Sequence, residues 1–252
     1  MSIDPNGKTV LITGSNRGIG KAIAEAFLAA GVAKLYATAR DVGDLAPLVE
    51  AGGGRVTPLP LDLVDAASIA AAADAAGDVQ VVVNNGGVLK AGEPLSGDVL
   101  DNIDFEFDVN VKGLVRVAEA FAPILKANAT ADAPTALVQL NSVASIRNFA
   151  GFTSYAASKA AAYSLTQGLR DALRDHHVHV VSVHPGPIGT DMGDDAGFDD
   201  DMTEPPSVVA DGVLDGLRSG KFHVFPDKMA RDFWSAYQGF AEAIVEPSMS
   251  EG

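Results

Sequence analysis

A doubly wound α/β fold, one parallel sheet of about seven strands with helices on both faces, is the architecture this sequence predicts. Three observations point to it. Short Val/Ile/Leu-rich runs alternate with longer Ala-rich stretches of helical periodicity. The runs are apolar almost throughout, rather than at every second residue, as strands covered on both faces must be. The first run also leads through a glycine-rich turn straight into the first helical stretch. At 252 residues and 47% hydrophobic content the chain can bury a sizeable core. No linker, repeat or shift of composition marks a second domain, so residues 1–252 are read as one.

The elements follow in order. Thr9–Thr13 is a β-branched, apolar first strand, and the helix after it runs from about Gly18 to Ala30. Further strands are expected at Leu35–Ala39, Val56–Leu61, Val79–Asn84, Ala136–Asn141 and Val178–His184, with helical segments near Ala66–Ala75, Val99–Lys126 and Ser154–Asp175. A seventh strand is placed at Lys221–Phe225 and a closing helix at about Lys228–Val245. Asn128–Pro134 is a polar interruption that reads as a surface insertion.

Composition narrows the function classes. A net charge of −15 without any run of Lys or Arg disfavours nucleic acid and anionic membranes as partners. The chain has no cysteine, which excludes disulfides, thiolate metal sites and cysteine nucleophiles. Met1–Asn6 is polar and enters the first strand directly, unlike a signal peptide, and no apolar stretch is long enough to span a bilayer. A cytoplasmic location is expected.

Two local patterns carry chemistry. Thr13-Gly14-Ser15-Asn16-Arg17-Gly18-Ile19-Gly20 lies between the first strand and first helix, where glycines allow a tight turn and helix-start amides can meet a pyrophosphate. Tyr155 and Lys159 sit four residues apart in a helical stretch and share a face. A cation beside a phenol favours the phenolate, so this pair can serve as a tuned acid/base; alone it is better read as a solvated surface pair. The second strand ends in Thr38-Ala39-Arg40, with no carboxylate in its last position to meet a ribose 2′-hydroxyl. Arg40, with Arg17 as a second cation, suits a 2′-phosphate and hence NADP(H) over NAD(H). Asp41 is the competing reading, since it could reach a ribose itself.

Thr-Gly-x-x-x-Gly-Ile-Gly resembles the cofactor loop of the short-chain dehydrogenase/reductase family, which makes the predicted fold Rossmann-type. The resemblance extends in family order from Thr13 to Thr190. It implies dinucleotide contacts from Gly14, Asn16, Arg17, Gly18, Ile19 and Gly20, and an adenine contact from Asp62 and Leu63, although Asp62 could simply cap the next helix. Asn84-Asn85-Gly86-Gly87 resembles the family's Asn-Asn-Ala-Gly, with Gly86 in place of alanine. Pro185-Gly186-Pro187-Ile188-Gly189-Thr190 resembles the segment lining the nicotinamide, which implicates Pro185, Gly186, Ile188 and Thr190. Ser142 precedes Tyr155 by 13 residues, the family's spacing between the substrate-orienting serine and the tyrosine. Asn110 resembles the asparagine that interrupts the long helix and supports a relay water; without the other three it would be an ordinary polar helix residue.

The catalytic set implied is therefore Asn110, Ser142, Tyr155 and Lys159. Tyr155 acts as acid or base, and Lys159 both lowers the tyrosine pKa and holds the nicotinamide ribose. No metal is required. Residues 191–206, rich in Gly and Asp, fall where this family carries a substrate lid, with Met192, Phe198 and Met202 as apolar contacts; the Asp run reads as solvated, with a cation site as the alternative. The implied activity is NADP(H)-dependent interconversion of a carbonyl and an alcohol on a small to medium, largely apolar molecule. Two rivals are β-ketoacyl reduction on an acyl carrier protein and a non-catalytic redox sensor. Against the carrier, Val224-Phe225-Pro226-Asp227 and an aromatic-bearing helix replace the usual Asp-Gly-Gly ending, and Lys112, Arg116 and Lys126 are a sparse basic patch for an acidic partner. A homodimer or homotetramer is expected.

Overall fold

In the computed structural model, which describes residues 1–246, seven strands form one parallel sheet in the order β3-β2-β1-β4-β5-β6-β7. They are β1 (Thr9–Ile12), β2 (Lys34–Ala39), β3 (Val56–Pro60), β4 (Val81–Asn84), β5 (Thr135–Leu140), β6 (Val178–Val183) and β7 (His223–Val224). The central strands β4, β5 and β6 are buried at every position, which is why they read as continuous apolar runs. The chain winds outward from β1 to β3, returns to β4, and winds outward again to β7. The reversal between β1 and β4 opens a crevice at the carboxyl ends of those strands, where open α/β sheets bind ligands.

Helices α1 (Gly18–Ala29), α2 (Ala46–Ala51) and α8 (Pro206–Ser219) border one core, and α3 (Ala66–Ala75), α5 (Gly113–Asn128) and α6 (Thr153–Leu173) border the other. Phe27 anchors the first core and Phe121 the second, both fully buried. Helices α2, α8 and the short α7 (Asp191–Asp195) were not anticipated. Helix α2 has only six residues, and α8 carries interior Gly and Asp that dilute its signal. Yet α8 starts with Pro206, ends at Gly220 in the left-handed region (φ 67°), and buries Val209, Val213 and Leu217 at four-residue spacing.

The expected long helix over 99–126 is broken. Helix α4 (Val99–Glu106) passes into a π-helical turn, Phe107–Lys112, before α5 begins. Asn110 sits in that turn, an irregularity of the kind concentrated at functional sites. Short α7 (Asp191–Asp195) lies beyond β6, and α9 (Lys228–Phe240) runs into a second π-helical turn, Ala241–Val245. No helix among the described residues is long and apolar enough to cross a membrane.

Candidate active site

A cleft of about 820 Å³ lies over the crevice between β1 and β4 and extends past the ends of β5 and β6. At its dinucleotide end the glycine turn is locked by backbone sterics. A Cβ on Gly20 would lie 2.0 Å from the Gly14 carbonyl oxygen, and Gly14 and Gly18 have φ of 65° and 53°. Thr13, buried at the end of β1, accepts hydrogen bonds at Oγ1 from the Asn85 and Gly86 amides (2.9 and 3.0 Å). Asn85 Nδ2 returns a bond of 3.0 Å to the Thr13 carbonyl, so the turns after β1 and β4 form one unit. Helix α1 begins at this turn with no side-chain cap and no acidic residue in its first turn. Its amides therefore face the cleft without a protein anion, which fits a pyrophosphate.

Several expected residues line this end, whereas Arg17 and Asn84 are engaged by other protein groups. Arg17 is paired with Asp191 at 3.0 Å across the mouth of the cleft, so its guanidinium is not simply a second cation for a phosphate. Arg40 lines the cleft, is exposed, and makes no ion pair among the described residues. Its neighbour Asp41 accepts from the Gly43 amide at 2.8 Å, capping a short 3-10 turn. Asp62 lines the cleft but does not cap α3, because Asp65 performs that role through the Ala67 amide (2.9 Å). Asn84 points into the core, where it accepts from Thr13 Oγ1 (3.2 Å) and donates to Gln139 (2.8 Å). Gly86 packs against Leu63, whose Cδ1 stands 2.9 Å from where an alanine methyl would be.

At the reacting end, β5 delivers Ser142 and the first turns of α6 deliver Tyr155 and Lys159 to the same wall. The Ser142 hydroxyl accepts from the Ala144 amide (3.1 Å) and donates to the Pro185 carbonyl (3.4 Å), with Tyr155 on the same wall of the cleft. Lys159 is 6% exposed, donates to the Leu140 carbonyl at 2.9 Å, and holds its Nζ 5.8 Å from the centre of the Tyr155 ring. Asn110 lies behind this wall, bonding both backbone groups of Val88 (2.9 Å each) and Ser158 Oγ (3.0 Å).

The electrostatics correct one expectation. Burial pushes Tyr155 up to about 12, only partly offset by the Ser142 hydrogen bond, with Glu106 adding to the rise. Desolvation outweighs any lowering by Lys159, whose own value burial pulls down to about 8. The polypeptide thus keeps Tyr155 protonated at neutral pH.

Beyond β6, the segment carrying Pro185, Gly186, Ile188 and Thr190 lines the cleft. The Gly186 amide donates to buried Asp227 at 2.7 Å, while the other Asp227 oxygen caps α9 through the Ala230 amide (2.9 Å). The 191–206 segment returns on itself, with Ile188 bridged to Glu204. It presents Met192, Phe198 and Met202 to the cleft, whereas Asp194, Asp195 and Asp201 are exposed. Phe152 tilts against Phe198 at 5.6 Å, and Phe149 stacks on Phe233 at 6.0 Å.

Ser142, Tyr155 and Lys159 thus converge with the glycine turn on one cleft, while Asn110 and Asn84 stand behind it. Sequence reading missed the lining residues Asp44, Phe105, Phe149, Phe152 and Met229. Nothing local distinguished them from ordinary core or surface. Asp227 was legible in part, as a Pro-Asp ahead of a helix.

A family profile described as short chain dehydrogenase matches residues 8–200. The chain is 35% identical over 243 residues to 1-deoxy-11-beta-hydroxypentalenate dehydrogenase of Streptomyces avermitilis, covering 92% of this chain and 88% of that one. It is 34% identical over 187 residues to D-erythrulose reductase of Gallus gallus, covering 74% of each. Among solved structures, a short chain dehydrogenase from Burkholderia cenocepacia in complex with NADP superposes with a TM-score of 0.84 at 29% identity, covering 98% of this chain and 100% of that one.

Proposed function

The chain belongs to the short-chain dehydrogenase family, and on that basis we propose that it is an NADP(H)-dependent carbonyl reductase working through Tyr155. The observation that carries this reading is the convergence of Ser142, Tyr155 and Lys159 on the cleft that begins at the glycine turn. A bound nicotinamide dinucleotide supplies the hydride in reduction and accepts it in oxidation.

The chain's own residues do the rest. Ser142, anchored by the Ala144 amide, donates to the substrate carbonyl and sets its orientation. Tyr155 donates its proton as negative charge develops on that oxygen. Lys159, fixed by the Leu140 carbonyl, would hold the nicotinamide ribose of a bound cofactor through its ammonium. Asn110 secures the Val88 backbone and Ser158, holding the segment after β4 against α6.

The choice of NADP(H) rests on Arg40, unpaired at the adenosine end, while Asp41 is occupied with its own turn. Phe105, Phe149, Phe152, Met192 and Met202 support a largely apolar substrate. A free small molecule is favoured over a carrier-bound chain because Lys112 and Arg116 both pair with Asp108 (3.6 and 2.8 Å), leaving little basic surface for an acidic protein.

The test is carbonyl reduction followed by NADPH absorbance. Tyr155→Phe is expected to lower kcat at least about a hundredfold with NADPH binding intact. Wild-type turnover is expected to decline above pH 8, as Lys159 loses its proton. Undiminished kcat in Tyr155→Phe refutes the mechanism.

A further inference from the structure

Glu106 is a buried ionisable group that this scheme leaves out. It ends α4, immediately before the π-helical turn that carries Asn110, and its side chain is fully buried. A carboxylate in such a place is costly unless its oxygens are bonded, and burial raises the Glu106 pKa, opposed by its hydrogen bonds and by the Lys90 and Lys159 ammonium groups. Oε1 accepts from the Lys90 amide at 2.7 Å, whereas Oε2 has no hydrogen-bond partner among the described residues. Asn110, four residues later, bonds both backbone groups of Val88. The two side chains therefore pin residues 88 and 90 of the segment that walls the cleft through Val88 and Leu89.

A glutamine would clamp the Lys90 amide as well as a glutamate does, so the clamp does not explain the charge. Helix α6, packed against α4, offers an explanation: Glu106 stands one turn before Asn110, which bonds Ser158 beside Lys159, so its carboxyl is on the side of the helix that meets Tyr155 and Lys159. We propose that Glu106 is a positioning residue for the reaction centre, whose buried carboxylate keeps Lys159 in the ammonium form while fixing the 88–90 wall of the cleft. The other titratable groups facing this pair are Lys90 from the wall segment, Tyr155 on α6, and buried His184 on the turn after β6, which burial pulls down to about 3 and so keeps neutral. None of them is an anion at neutral pH. Glu106 is the group that opposes the loss of the Lys159 proton caused by burial, and withdrawing an anion from beside a cation makes the cation more acidic.

The role rests on the Tyr155–Lys159 reading above, and the experiment separates the two. The full chain is compared with Glu106→Gln, which retains an oxygen for the Lys90 amide, and with Glu106→Asp, which retains the charge. Glu106→Met, neutral and similar in size, replaces the glutamine variant if that one fails to fold. Two quantities are followed from neutral into alkaline pH: NADPH binding, read by its fluorescence, and kcat/KM for carbonyl reduction. In the neutral variant both alkaline midpoints are expected to move to lower pH by on the order of one unit, while Glu106→Asp stays near wild type. Unmoved midpoints in a folded neutral variant, or an equal displacement in Glu106→Asp, overturn the proposal and leave Glu106 only a clamp. Tyr155→Phe is assayed alongside. Full activity there takes down the acid/base reading itself, whereas its loss combined with unmoved midpoints takes down only the role given to Glu106.

Discussion

The two ends of the cleft are held by different kinds of contact. At the dinucleotide end the walls are backbone against backbone: the Gly20 Cα faces the Gly14 carbonyl, and the Thr13 hydroxyl gathers two amides of the next turn. At the substrate end they are side chain against side chain, with Phe152 on Phe198 and Phe149 on Phe233. Backbone contacts at these distances admit few residue types, so the first end is tied to a motif. Apolar side-chain contacts tolerate exchange within a size class, so the second end can be recut for a new substrate without disturbing the first.

The largest expected effect sharpens this contrast. Gly20→Ala drives a methyl into a backbone oxygen that cannot step aside, and is expected to destabilise the fold by about 2–3 kcal/mol, lowering the melting temperature by several degrees and weakening NADPH binding. An unchanged melting temperature would dissolve the distinction between the ends. Arg40→Asp acts on affinity alone: NADPH binding is expected to weaken by roughly 10- to 100-fold, as loss of a charge-assisted hydrogen bond implies, with NADH binding little affected. Equal losses for both cofactors would remove Arg40 from the 2′-phosphate. Asp227→Ala leaves the Gly186 amide unbonded and α9 uncapped, a loss of about 2 kcal/mol in thermal unfolding; Asp227→Asn, which keeps an acceptor, is expected to lose less. Asp191→Ala is the smallest. Its partner Arg17 is mostly exposed, so stability is expected to change by less than about 1 kcal/mol, and that change should vanish in high salt.

How much was legible follows from the same physics. Strand β5 was readable because burial on both faces demands apolar residues throughout, and the glycine turn because sterics demand glycine. Ser142, Tyr155 and Lys159 were readable because their order and spacing are tied to β5 and α6. The break in the long helix was legible only through the resemblance at Asn110, since Phe107–Lys112 has the composition of any amphipathic helix. The reversal of the expected shift on Tyr155 was hidden for a related reason. Spacing reveals which charge stands near, but desolvation depends on everything else packed around the phenol. The partner of Arg17 lay 174 residues away, a separation across which no local pattern speaks.

The bond from the Gly186 amide to Asp227 also bears on the order in which the protein is made. Chains emerge from the ribosome N-terminus first, and the glycine turn, β4 and the Ser142 wall all precede residue 186. The segment after β6 gains its anchor only when residue 227 appears. A nascent chain that has not yet reached residue 206 lacks both α8, which closes the core over α1, and the Asp227 anchor, so neither end of the cleft is complete until the C-terminal elements are made.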